Sequence, residues 1–258
     1  MTDALHAEWT KLRTLAGTSW LLVAVVAVTV ALGVAASAAV TCADVSCGQD
    51  PAKVSLTGIG LGQAVVAILA VLAVSGEYSS GMARLTFTAM PRRTTVLAAK
   101  AAAVSGLALA AGTIAVLASI VVGRIVLPGN GFTAAHGFRV LSLADGPVLR
   151  AAVGSVLYLV LVGLFSLGVA TAVRDSAMAI GLVLGVLYLV PIVAAVIGDP
   201  RWQRRLEQYA PMQAGLSVQA TVNVAAQPIA PWAGLGVLAA WATGALLVGG
   251  VVLRVRDA

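Results

Sequence analysis

Few residues in this chain have the types and spacing that chemistry requires. The two histidines, His6 and His136, stand far apart, one near the N-terminus and one in a loop, so they cannot share a metal or a triad. Each reads as a solvated side chain. Asp145, Asp175 and Asp199 fall in three separate loops and offer no carboxylate pair for acid and base work. No G-x-x-x-x-G-K-[ST] stretch occurs, so the chain does not bind ATP in the phosphate-loop manner. The two cysteines, Cys42 and Cys47, share one loop. On an oxidising face they could close it as a disulfide, and on a reducing face they would stay thiols. The expectation is a chain with no catalytic residues, no metal and no cofactor of its own.

The elements that carry these residues are apolar. Of 258 residues, 60% are hydrophobic and 10% charged, and the mean hydropathy is +1.00. A soluble domain carries about a quarter charged residues, so lipid must be the solvent here. Six runs reach the roughly 20 residues that a membrane crossing needs. They cover 19–40, 55–75, 97–122, 149–173, 177–197 and 232–253. Their apolar residues are not confined to one stripe, nor do they alternate as barrel strands would. The expected fold is therefore an all-α integral membrane protein of six transmembrane helices, a single domain over residues 1–258. Only Arg174-Asp175-Ser176 separates the fourth and fifth runs, which must form a tight antiparallel hairpin.

An even number of crossings puts both termini on one side, and the distribution of Lys and Arg assigns that side. With the N-terminus cytoplasmic, nine basic residues lie inside and seven outside. The inner ones crowd short loops at the helix ends, whereas three of the outer ones occupy one long segment. Both termini are thus expected in the cytoplasm. The net charge of +6 suits lipid headgroups and calls for no nucleic acid. Ala36-Ser37-Ala38 has the small residues of a signal cleavage site, but the run before it is too long, so it is expected to stay as a span.

Two polar segments interrupt this pattern. Ahead of the first span, Leu5, Trp9, Leu12 and Ala16 recur at helical spacing, with Glu8, Lys11 and Arg13 on other faces. This predicts an interfacial helix over residues 1–17 with Trp9 at headgroup depth and Gly17-Thr18-Ser19 as the elbow into the membrane. Between the second and third spans lies a polar island from Gly76 to Lys100. Glu77 stands where the second span leaves the hydrocarbon, and Arg92, Arg93 and Lys100 are expected to meet anionic headgroups. Pro91 divides the island. Its first half reads as a short helix with Met82, Leu85 and Ala89 on one face, because a lone strand would leave backbone groups unpaired. Thr94 or Thr95 would cap the third span.

Three stretches together resemble a family. Glu8-Trp9-Thr10-Lys11-Leu12-Arg13, then Gly76-Glu77-Tyr78-Ser79-Ser80-Gly81, then Pro91-Arg92-Arg93 followed by Lys100, are similar to the permease subunits of bacterial type 2 ATP-binding-cassette exporters. Six spans and a polar segment containing Tyr209-Ala210-Pro211-Met212-Gln213-Ala214-Gly215 fit the same resemblance. It implies a subunit of the bacterial cytoplasmic (inner) membrane that pairs with a second permease, identical or homologous. It also implies a separate ATPase subunit that binds ATP and Mg. The island would supply a short cytoplasmic coupling helix, with Glu77, Tyr78, Ser79, Arg84, Leu85, Pro91, Arg92 and Arg93 receiving the ATPase motion. The substrate would be hydrophobic or amphiphilic, such as a drug or a lipid. No ionisable residue falls at the middle of a span, which argues against a proton relay. The rivals are a secondary transporter, for which no inverted repeat is found, and a non-transporting anchor or regulatory subunit.

Within the spans, Gln63, Tyr158, Ser166, Thr171 and Tyr188 are the polar groups expected to face the bundle interior or a path through it. Pro191 should kink or unwind the fifth span and could act as a gate. Gly58 with Gly62, and Gly181 with Gly185, have the spacing that lets helices approach closely. In the segment 199–231, Trp202, Leu206, Tyr209 and Met212 suggest an amphipathic piece at the membrane surface, with Arg201, Arg204 and Arg205 toward headgroups. An ordered loop is the alternative. Leu127-Pro128-Gly129-Asn130-Gly131 reads as a turn.

Overall fold

The structure, a computed structural model, describes residues 10, 16–42, 47–79, 93–138, 140–196 and 199–255. Among these residues the regular elements are all helical. In lipid a spanning backbone must satisfy its own hydrogen bonds, and a sequence rich in Ala, Leu and Val does so as helix. The elements are α1 (Ala16–Ala39), α2 (Pro51–Ser55), α3 (Ile59–Ser79), α4 (Arg93–Val126) and α5 (Gly146–Val173). They continue with α6 (Ser176–Leu184), a π-helical turn (Gly185–Leu189), α7 (Val190–Val196), α8 (Pro200–Tyr209), α9 (Pro211–Leu216) and α10 (Pro231–Val255). Six helical stretches are long and apolar enough to cross a membrane: α1, α3, α4, α5, the run from α6 to α7, and α10. The protein is an all-α, multi-pass membrane protein.

Helix α5 is the axis of the bundle and is buried along most of its length. It packs on α3, α4, α6 and α10, while α1 packs on α3 and α4. The buried core includes Ile59, Val66, Tyr158, Leu159, Val162, Phe165, Leu187 and Leu238. Leu109, Ile114, Val121, Leu189 and Leu247 are exposed on the outside of the same helices, where hydrocarbon would cover them. Burial alone therefore does not distinguish inside from outside in this chain; packing does.

One of the two expected small-residue pairs packs within the chain. A Cβ added at Gly58 would stand 1.8 Å from the carbonyl oxygen of Thr29, and one at Gly62 would stand 2.1 Å from its Oγ1. These glycines let α1 lie directly on the start of α3. A Cβ added at Gly181 or Gly185 would meet nothing within 4 Å, so among the described residues no other helix is pressed against that pair.

The two ends of the bundle differ. At one, the basal end, lie the end of α3, the start of α4, the α5–α6 turn and the end of α10. Arg174 takes a left-handed conformation there (φ 64°) and its Nη2 donates to the Val252 carbonyl at 3.4 Å, tying the hairpin to α10. The other end carries an ordered cap built from 40–42, 47–58, 127–138, 140–145 and 199–230. Leu127–Asn130 is a 3-10 turn, as its sequence predicts. Asn130 Nδ2 donates to the Ser37 carbonyl at 2.7 Å, and the Asn130 carbonyl accepts from Cys42 N at 2.8 Å. Gly131, at φ 92°, presses so close to the Cys42 carbonyl that a Cβ would stand 1.9 Å from it. Cys42 and Cys47 are joined as a disulfide in this cap.

Several boundaries differ from the sequence reading. Gly17-Thr18-Ser19 lie inside α1 and form no elbow. The second span does not run on from Ser55: the chain turns at 56–58 and α3 begins at Ile59. Helix α4 begins at Arg93, so Thr94 and Thr95 lie in its first turn rather than capping it. Lys100 does not reach for headgroups. It is 5% exposed, and its Nζ donates to the Ala73 carbonyl at 3.3 Å, linking α4 to α3 near the basal end.

Candidate functional site

Three of the five polar groups named from sequence, Gln63, Tyr158 and Tyr188, meet in one polar cluster inside the bundle. Tyr158 projects from α5, Gln63 from the first turns of α3, and Tyr188 from the π-helical turn. The Tyr158 hydroxyl donates to Gln63 Oε1. Gln63 Nε2 then donates to the Gly60 carbonyl at 3.0 Å, and the Tyr188 hydroxyl donates to the same carbonyl at 2.5 Å. Tyr158 and Gln63 are fully buried, and Tyr188 is partly open. Away from water each hydroxyl or amide needs a partner, and the cluster supplies them mutually. It thereby joins α3, α5 and the fifth span at one level.

Pro191, named from sequence as the site of a kink or gate, explains the shape of the third participant. A proline inside a helix has no N–H to donate, and its ring strikes the carbonyl four residues earlier, here that of Leu187. The chain does not simply unwind at Pro191. Instead the preceding Gly185–Leu189 adopts the wider π turn, which relieves the clash and adds a residue to the turn. That extra residue rotates Tyr188 toward Gly60. Sequence reasoning located the irregularity and missed its form.

Above the cluster the chain folds back into the bundle. Helix α8 starts on an Asp199 N-cap that accepts from Arg201 N at 2.8 Å. It ends at Ala210, and Pro211 starts α9 in a new direction. The piece that follows is buried: Ala210, Ala214, Val218 and Ala220 are each under 5% exposed. Close approach is possible because glycines stand at the contacts. A Cβ at Gly215 would sit 2.6 Å from the Tyr158 ring, one at Gly154 would strike Val218, and one at Gly234 would strike the Ala214 carbonyl. Gln219 Nε2 donates to Ser155 Oγ at 3.2 Å, and Arg150 Nη2 donates to the Ala220 carbonyl at 2.6 Å. Of the two readings of this segment, the amphipathic helix describes α8, whereas 210–220 is an ordered plug resting on Tyr158.

Asp50 fastens this plug to the rest of the cap. Its Oδ1 accepts from Ala52 N at 3.1 Å and Lys53 N at 3.2 Å, the ordinary work of an N-cap before a proline. Its carboxylate also accepts from Thr221 Oγ1 at 2.6 Å, Thr221 N at 2.5 Å and Val222 N at 3.0 Å. The Asp50-Pro51 dipeptide advertises the cap; nothing local advertises Thr221.

Other expectations resolve as follows. Ser166 and Thr171 do face inward, but each hydroxyl bonds back to its own helix, to the Val162 and Leu167 carbonyls at 2.7 and 2.8 Å. His136 is partly buried and its Nδ1 lies 2.7 Å from the Gly131 carbonyl, so that nitrogen carries the proton and the ring braces the turn. Among the described residues no group of His, Cys, Asp and Glu could hold a metal. The backbone of 77–79 completes α3 and that of Arg93 opens α4, but the side chains of Glu77, Tyr78, Ser79 and Arg93 lie outside what is described. So do Arg84, Leu85, Pro91 and Arg92 of the island, and Glu8, Trp9, Lys11 and Arg13 of the interfacial helix. No protein-family model matches the chain, and no curated protein matches it either.

Proposed function

We propose that this chain is the permease subunit of an ATP-driven exporter, working with a second permease and with ATPase subunits that carry the nucleotide site. The observation that carries this reading is the polarity of the bundle. One end is sealed by a disulfide-bonded cap and a plug seated on Tyr158, while the polar island connects two spans at the opposite, basal end. In this reading the basal end faces the cytoplasm, the island is the coupling element, and the cap faces outward. The disulfide suits an oxidising outer face. Closure of the ATPase dimer moves the basal ends of α3 and α4 together, because Lys100 binds one to the other. The motion reaches the Gln63–Tyr158–Tyr188 cluster through α3, and the π turn supplies the place where the fifth span can yield. A hydrophobic or amphiphilic cargo then leaves past the plug.

The test is a Glu77→Ala, Arg92→Ala double variant assayed with its ATPase partner. The expected result is normal membrane insertion and continued ATP hydrolysis, with transport lost. Full transport by the double variant would remove the coupling assignment.

A further inference from the structure

In the cap, with the plug as one wall, lies a pocket of about 320 Å³. Lys53 of α2, Glu207 near the end of α8, Gln213 and Leu216 of α9, and Pro228 and Ile229 ahead of α10 line it. That volume stands at the lower end of the roughly 300–1,000 Å³ of small-molecule sites, and among the described residues nothing occupies it. The walls are held without any ligand. Lys53 N donates to Asp50 Oδ1 at 3.2 Å, and the same carboxylate accepts from Thr221 Oγ1 just past the plug at 2.6 Å. Gln208 Nε2 donates to the Pro228 carbonyl at 2.8 Å, which fixes the 228–229 wall to α8. Walls that are already tied need little further ordering when a ligand binds.

The polar groups on these walls lack partners. Lys53 is exposed and Glu207 half-buried, and although both line one pocket, no salt bridge joins them among the described residues. There the Lys53 ammonium makes no hydrogen bond. The Glu207 carboxylate accepts one long contact, from Gln203 Nε2 at 3.4 Å. Gln213 Oε1 is buried without a donor, which costs free energy until a donor is found. Leu216, Pro228 and Ile229 add apolar surface. The pocket thus presents a cation and an anion that do not pair with each other, an amide oxygen without a donor, and an apolar patch.

We infer that this pocket binds a free α-amino acid with an apolar side chain. Its carboxylate meets Lys53, its ammonium meets Glu207, and the Gln213 amide turns its oxygen to accept a second ammonium N–H. Its side chain lies on Leu216, Pro228 and Ile229. A ligand that carries both charges makes a charge-assisted hydrogen bond to each wall, whereas an amine or a carboxylate alone leaves one wall unpaired. Bound there, the amino acid ties α2 to α8 and to the plug. The inference stands apart from the transport reading, since the site is made of cap segments alone and needs neither an ATPase nor a cargo path.

The experiment is equilibrium binding of tritiated L-leucine to the purified full chain in nanodiscs. Binding should be saturable and displaced by unlabelled leucine. It should not be displaced by 3-methylbutylamine, which lacks the carboxylate, or by 4-methylpentanoate, which lacks the ammonium. Lys53→Gln and Glu207→Gln should each weaken binding roughly tenfold or more, as the loss of a hydrogen bond to a charged group does. Gln213→Leu removes the oxygen that has no donor, so the ligand-free variant should unfold no lower than the parent and yet bind leucine more weakly. A side chain that only packs would not separate those two readouts. Thermal unfolding of each variant reports whether it folds like the parent. Absence of saturable binding overturns the inference. So does displacement by the amine or the acid alone as effectively as by leucine, and so does parent-like affinity in both charge variants, which would put the leucine elsewhere.

Discussion

Tyr158 is the residue on which the interior depends. Its ring is the seat of the plug through Gly215, and its hydroxyl fixes the Gln63 amide. Tyr158→Phe keeps the ring and deletes the hydrogen bond, leaving Gln63 Oε1 buried without that donor. A buried orphan costs about 1–3 kcal/mol in a water-soluble protein, yet interhelical hydrogen bonds in membranes average about 0.6 kcal/mol because the dispersed helices find other partners. The expected loss is therefore near 1 kcal/mol. In a Gln63→Leu background the same substitution should cost little, and thermal unfolding of the four proteins in the cycle checks this. At this scale the sequence was informative about type: a glutamine and two tyrosines in apolar runs had to find partners. It gave no sign of the Gly60 carbonyl that two of them share, because a backbone acceptor has no signature in residue type. Lys100 misled for a related reason. A lysine near a span end reads as an anchor, and only the approach of Ala73 makes it a buried clasp.

Among the elements, the fifth span behaves unlike its neighbours. The π turn and Pro191 hold Tyr188 on Gly60 at the expense of regular helix. Pro191→Ala would allow a regular α turn, restore a donor to the Leu187 carbonyl and swing Tyr188 by about 100° away from Gly60. The variant should unfold at higher temperature than the parent, by about 1 kcal/mol of added stability, while efflux of an amphiphilic dye falls several-fold. Unchanged efflux would mean that the π turn accommodates the proline and does nothing more. The spans themselves were legible to within a few residues because lipid imposes one requirement on every crossing. The cap was not legible in the same way. Its disulfide was open between two outcomes, and its plug is held by Asp50, Arg150 and Gln219 reaching segments distant in sequence. Such contacts follow from packing and leave no periodicity to read.

For the molecule as a whole, one end is closed by the cap, and at the other α3 ends and α4 begins. A Cβ added at Gly181 or Gly185 on the fifth span would meet none of the described residues within 4 Å, so that small-residue face is open in the described structure. The architecture of six apolar helices suits membrane transport, and the energy source is the property to measure. The most direct measurement is to purify the tagged chain from its own membranes, identify what comes with it, and assay ATP hydrolysis. This is done for the parent and for a variant whose residues 80–92 are replaced by a Gly-Ser linker of equal length. The account predicts a phosphate-loop ATPase bound to the parent with hydrolysis stimulated by the permease. It predicts that both are lost in the linker variant while the Cys42–Cys47 bond and thermal unfolding are preserved. It is contradicted if no ATPase accompanies the chain and the purified protein alone moves cargo across liposomes on an ion gradient.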